Sequence, residues 1–299
     1  MSKFWRSLTL RPAPRPVSRA SRLVAVVAFL GAVVAADACA AQAPTPELFH
    51  YTFDESGAVV TNRASSPPPG TGAAALVGGL TQGGAITGTY LSAVVGTGGS
   101  SDTDYVNTGW ATSLADSWTI SFFSDDIDTP SLTYVMGDVT AGEIRIFTNG
   151  VAGSGNWLLR GTTITDTVLI GGAVQATTMN TFVYDAPANE VRAYLNGVLV
   201  NTVAQGGPVT AFGVGPFKVA GYGASAGLNA GGKVGDVRIY SRALSPAEIT
   251  DIYDAAFVPP PTPPTVPTLG ETALMLLALM LGAFGLILAQ ARISLRARV

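Results

Sequence analysis

Between Glu47 and Tyr253 the chain reads as short apolar or alternating runs, LFHYTF, SWTISFF, LTYVM, EIRIF, NWLLR, DTVLI, NTFVY and GDVRIY, separated by clusters of Gly, Asn, Asp and Pro. In EIRIF and DVRIY every second residue is apolar, the two-residue period of a strand with one face against a core. The segment EVRAYLNGVLVNTV predicts a hairpin. Its Asn196-Gly197 pair suits a two-residue type I′ turn, because both residues tolerate positive φ. Many short strands, with turns every ~8–12 residues and no long helical period between them, predict an all-β, two-sheet sandwich over residues 41–256.

One short helix is signalled, in LSPAEITDIYD. Ser245 is placed to cap it, Pro246 suits the first helical position, and Glu248 completes a capping box. Ile249, Ile252 and Tyr253 then share one face, which closes one end of the sandwich.

Two longer apolar runs flank this region. Residues 23–36, LVAVVAFLGAVVAA, follow a stretch with six basic side chains and precede DACAAQA. Basic start, short apolar run and small-residue sites describe a secretory signal peptide over residues 1–40, with cleavage after Ala38-Cys39-Ala40. Fourteen residues reach roughly 21 Å as a helix, short of a ~30 Å hydrocarbon core. A lipoprotein with Cys39 as its new N-terminus is the competing reading, but Ala36 stands where such signals carry Leu. At the other end, residues 257–265 form a proline-rich spacer, extended because proline lacks an amide donor. Thr272 to Ala289 is uncharged over eighteen residues, near the lower limit for a transmembrane helix. Arg292, Arg296 and Arg298 follow it and place the C-terminus in the cytoplasm.

Charge sharpens the picture. The net charge of −3 hides a segregation, since residues 41–258 carry 18 acidic and 8 basic side chains. A domain that acidic repels phosphate backbones and argues against a nucleic-acid partner. The single cysteine, Cys39, excludes an internal disulfide. With His50 the one histidine, a zinc site has no second imidazole or thiolate. Closely spaced carboxylates of the glycosidase type are absent as a local string, and Glu143 has no acidic neighbour two residues on. The acidic pairs and triplets Asp102/Asp104 and Asp125/Asp126/Asp128 read as solvated loop charges. Trp110 and Trp157 sit beside Gly or Asn rather than in long apolar runs. They are the candidate ligand-stacking aromatics, with core packing as the alternative role.

Two resemblances follow from particular segments. GGKVGDVRIYSRALSPAEITDIYD is similar to the closing segment of laminin-G-like, concanavalin-A-like jelly rolls, and FHYTFDESGAVVTNRA is similar to their opening strand and turn. DYVNTG, SWTISFF and EVRAYLNGVLV match the order of their inner segments, although MNTFVYD stands where the family often has a Trp-His pair. The resemblance implies a concanavalin-A-like jelly roll with one short C-terminal helix. It also implies a structural calcium, whose ligands match Asp54 and Asp236. Val266-Pro267-Thr268-Leu269, an apolar helix and an arginine cluster resemble an IPTL-CTERM sorting signal over residues 266–299. Val266 replaces the usual Ile, and Gly270-Glu271-Thr272 stands where Ser-Glu-Trp is usual. That resemblance implies a Gram-negative host and an exosortase-type sorting protease as partner.

The combined expectation is an exported, envelope-anchored or sorted module that is not an enzyme. It recognises glycan or protein at the cell surface or in extracellular matrix. A structural or adhesion protein without a small ligand and a carbohydrate-active enzyme are the alternatives.

Overall fold

In a computed structural model, described for residues 42–128, 131–138, 142–169, 176–223, 226–260, 274–275 and 278–282, the middle of the chain is a two-sheet antiparallel sandwich. The first sheet runs in the order β15 (Val198–Ala204), β14 (Glu190–Leu195), β13 (Thr178–Asp185), β8 (Trp118–Asp125), β18 (Lys233–Tyr240), β5 (Ser92–Val95) and β4 (Thr81–Ala85), with β1 (Phe49–Tyr51) also paired to β18. The second runs β12 (Thr167–Leu169), β11 (Trp157–Arg160), β10 (Arg145–Thr148), β9 (Thr133–Asp138), β17 (Phe217–Val219), β6 (Tyr105–Asn107), β3 (Ala73–Val77) and β2 (Val59–Thr61). A two-stranded ribbon of β7 (Ser113–Leu114) and β16 (Ala211–Phe212) lies beside them. Each of the eight apolar runs read from the sequence contributes a strand.

The inward faces meet in one core that includes Phe49, Trp118, Phe122, Trp157, Phe182 and Phe217. The predicted hairpin joins β14 to β15, with Asn196 and Gly197 both at positive φ, 50° and 82°. Helix α1 (Pro246–Ala255) has the full capping box: the Glu248 amide donates to the Ser245 side chain, and the Ser245 amide donates to the Glu248 carboxylate. Its Ile249 and Ile252 bury themselves on the outer face of the first sheet, against Phe123, Met179 and Tyr240. That cover explains why β8, β13 and β18 are buried on both faces and do not alternate in exposure. The helix therefore packs across a sheet instead of closing the end of the sandwich. The outer face of the second sheet is covered in part by the turn Gly150–Ala152, whose Ala152 packs with Phe147 and Leu158.

Phe257, Val258, Pro259 and Pro260 follow the helix in exposed positions, with the Phe257 ring against Tyr253. Among the described residues no helix is long and apolar enough to cross a membrane. The signal peptide at 1–40, Val266, Pro267, Thr268 and Leu269, most of the helix expected at 272–289, and Arg292, Arg296 and Arg298 lie outside the described residues.

Candidate functional site

The second sheet's outer face is built by the alternation already visible in EIRIF. Ile144 and Ile146 point into the core, so Arg145 and Phe147 point out. Register then sets their neighbours. Arg145 is opposite Arg160 on β11 and Gly137 on β9, and Gly137 is in turn opposite Lys218 on β17. One row across four strands thus carries three cations around a glycine. In the next row Phe147 is flanked by Leu158 and Tyr134. Leu158, Phe147, Tyr134 and Val168 form a small apolar cluster of their own on this face.

The glycine in the row is required. A Cβ on Gly137 would come within 2.7 Å of the Tyr222 ring. Tyr222, on the loop after β17, folds back over that position and packs against Tyr134 with ring centroids 5.0 Å apart. Its hydroxyl accepts from the Gly142 amide at 3.3 Å and from Arg145 Nη1 at 3.4 Å, and the Arg145 guanidinium sits 5.5 Å from its ring centroid. Tyr134 and Tyr222 are half-buried and form a small aromatic shelf with Arg145 at its border.

The three cations differ electrostatically. Arg160 is paired with Asp166 through both Nε (2.7 Å) and Nη2 and lies 5.8 Å from the Phe147 ring centroid. Its hydrogen bonds hold the Asp166 carboxyl below its ordinary range. Lys218 is buried, with Nζ donating to the backbone carbonyls of Ser101 and Gly223 and lying 4.0 Å from the Tyr105 ring centroid. Burial lowers its pKa, and Asp102 partly counters this. Among the described residues Arg145 has no carboxylate within 4.0 Å.

The residues singled out from the sequence fall elsewhere. Trp110 and Trp157 are 5% and 0% exposed. Trp110 packs between Phe49 (4.9 Å) and Phe217 (5.5 Å), and Trp157 meets Phe122 edge-on at 5.3 Å. Neither offers a face to a sugar, because Trp157 points inward from β11 and Trp110, on the segment after β6, packs into the same core.

Asp54 and Asp236, the expected calcium ligands, each lie against an arginine. Asp54 is exposed and accepts from Thr52 (2.8 Å) and Arg63 (2.6 Å). Asp236 is buried, with one oxygen 3.0 Å from His50 Nε2 and the other 2.9 Å from Arg238 Nε. Burial pushes its carboxyl up, but Arg238 and His50 outweigh that and hold it at about 2. Among the described residues no group of three or more His, Cys, Asp or Glu could hold a metal ion. The Asp236 pair borders a groove of about 820 Å³ between the chain's entry at Gln42–Thr45 and its exit at Pro259–Pro260, with Tyr90 and Leu91 on its wall. Asp125 is likewise not a solvated loop charge. It is buried and bonded to Lys233 Nζ (2.9 Å), Thr87 and Thr177.

A family profile described as the concanavalin A-like lectin/glucanases superfamily, laminin-G type, matches residues 97–250, and the IPTL-CTERM motif matches residues 265–292. No curated protein matches the chain. Among solved structures, the binding domain of Paraclostridial Mosquitocidal Protein 1 is similar over 70% of this chain and 52% of its own, at 11% identity and a TM-score of 0.53. The binding domain of botulinum neurotoxin DC in complex with SialylT is similar over 70% and 51%, at 12% identity and a TM-score of 0.50. The chain spans about half the length of these structures, and at such identities the likeness is one of fold.

Proposed function

Since the chain belongs to the concanavalin A-like lectin/glucanases superfamily and carries an IPTL-CTERM motif, we propose that it is a non-catalytic carbohydrate-binding module displayed at the cell envelope. The ligand lies on the outer face of the second sheet. The observation that carries this reading is the Tyr134–Tyr222 shelf, two half-buried rings with centroids 5.0 Å apart and the Arg145 guanidinium beside them. Sugar recognition needs that combination: an aromatic plane for the apolar face of a pyranose ring and a polar donor to fix its orientation. The first sheet offers no such surface where helix α1 covers it. A similar fold in a toxin binding domain, crystallised with SialylT, lends support.

The two ends of the chain supply the address. The signal peptide exports the domain across the inner membrane, and the tail at 266–299 holds it there until an exosortase-type protease acts. The spacer at 257–265 then separates the sandwich from the membrane by about 3 Å per residue.

A glycan array tests the reading directly. The intact protein is expected to bind a subset of polysaccharides, and the double variant Tyr134→Ala, Tyr222→Ala to lose that binding without losing its fold. Unchanged binding by the double variant would move the site off this face. Absence of binding to any glycan would leave the adhesion alternative.

A further inference from the structure

We infer that the carbohydrate bound on this face is an anionic polysaccharide, one whose uronic carboxylates pair with Arg145. The inference rests on the carbohydrate-binding reading and names the class of ligand for that site.

The first observation is a like-charged pair. Arg145 and Arg160 are direct cross-strand neighbours, an arrangement that destabilises a sheet when uncompensated. The fold compensates one member only. Asp166 grips Arg160 through two hydrogen bonds, whereas the carboxylates that face the row from neighbouring elements are otherwise engaged. Glu143 accepts from the Phe212 amide at 3.0 Å, and Asp102 acts on Lys218. Arg145 is left without a carboxylate in direct contact and feels Asp166 only at longer range.

The second observation is that Arg145 is held in place. Its contacts to Tyr222 are a ring 5.5 Å away and one hydroxyl at 3.4 Å. A guanidinium has five N–H donors in a fixed fork matched to a carboxylate, and one long hydrogen bond engages a single donor. A side chain already stacked on an aromatic loses little further entropy when it pairs.

The third is charge placement. The domain carries 18 acidic and 8 basic side chains, so it repels polyanions in general. Interactions fade beyond a Debye length of about 8 Å at physiological salt, and within that range Arg145 is the member of the row that has neither a carboxylate salt bridge nor burial to hold it. An anionic chain is therefore admitted on this face and discouraged elsewhere, which makes the background charge a source of specificity.

The test is isothermal titration of the full chain, in detergent, with polygalacturonate and with the same polymer after reduction of its carboxyl groups. The polyuronate is expected to bind at least tenfold more tightly than the reduced polymer. Arg145→Gln should remove about tenfold or more of that preference, the effect of one charge-assisted hydrogen-bonded pair, and Arg145→Lys should retain part of it. Thermal melting of both variants reports whether the fold is intact. Equal affinity for the two polymers, or no effect of Arg145→Gln in a folded protein, overturns the anionic assignment and leaves the carbohydrate reading standing. Binding to neither polymer, with a negative glycan array, overturns both. A sulfated polymer that binds more tightly and ignores Arg145 marks bulk ion exchange and also refutes the assignment.

Discussion

Replacing Asp236 by Asn removes one buried negative charge and keeps the shape of the side chain. In the parent, Asp236 is 2% exposed and lies between Arg238 Nε at 2.9 Å and His50 Nε2 at 3.0 Å. Burial raises its carboxyl, and Arg238 and His50 bring it down to about 2, against 3.8 in a free aspartate. That separation is worth about 2.5 kcal/mol of folding stability. The unfolded carboxyl binds its proton more tightly than the folded one. The contribution is therefore complete above about pH 5, about halved near pH 3 and lost as the pH falls through about 2. An amide mimics the protonated acid, so Asp236→Asn should cost about 2.5 kcal/mol at pH 7. The ~3–5 kcal/mol typical of breaking a buried pair sets the upper bound. Urea unfolding of residues 41–258, followed by tryptophan fluorescence, should show a midpoint lower by about 1 M at pH 7 and a gap about half as large at pH 3. Coincident curves at pH 7, or a gap that ignores pH, would refute the reasoning. Because the counter-ion is Arg238, the parent should melt at the same temperature in chelator and in millimolar calcium. A rise with calcium would place a cation at this carboxylate after all.

Trp157→Ala should destabilise the domain by about 3–5 kcal/mol, as expected for a fully buried aromatic, while glycan affinity per folded molecule stays unchanged; a selective loss of binding would restore the stacking role. Ser245→Ala should lower stability by about 1 kcal/mol through loss of the cap to Glu248, read as a shift in thermal midpoint, and no shift would mean that packing of Ile249 and Ile252 alone fixes helix α1. The triple variant Pro267→Ala, Thr268→Ala, Leu269→Ala keeps the apolar run and arginines, so a passive anchor is indifferent to it. In the native host it should retain its C-terminal segment and accumulate in the inner membrane while the parent moves on; identical fractionation would reduce the tail to an anchor.

What the sequence made legible follows bulk and periodicity. Runs such as SWTISFF and NTFVY carry aromatic and β-branched residues that have one comfortable place, a central strand, and they became β8 and β13. Asn196-Gly197 and the Ser245/Glu248 box were readable because each is a local chemical solution to a backbone problem. The strands Ala73–Val77 and Thr81–Ala85 were not, since AAALV and TQGGA have little side chain to reveal a face. Their conformation is imposed by the neighbours they pair with.

The site was less legible for a related reason. Periodicity shows that Arg145 and Phe147 share a face, but it cannot show which residues flank them. Register places Arg160 beside Arg145, and a loop 77 residues further along the chain brings Tyr222 over Gly137. Tryptophan attracted attention for its size, yet a large apolar ring on a strand is drawn inward by the same effect that makes it a good sugar platform. Tyr134 and Tyr222 are half-buried on the outer face, and the Tyr222 hydroxyl accepts from Arg145 and the Gly142 amide. Asp236 shows the converse. Its carboxylate suggested a metal, but the backbone at Asp236 adopts φ 44° within a bulge of β18 against β8. Two residues further on, Arg238 Nε meets the same carboxylate. That cation lies two residues away in sequence, so the DVRIY motif already held both partners.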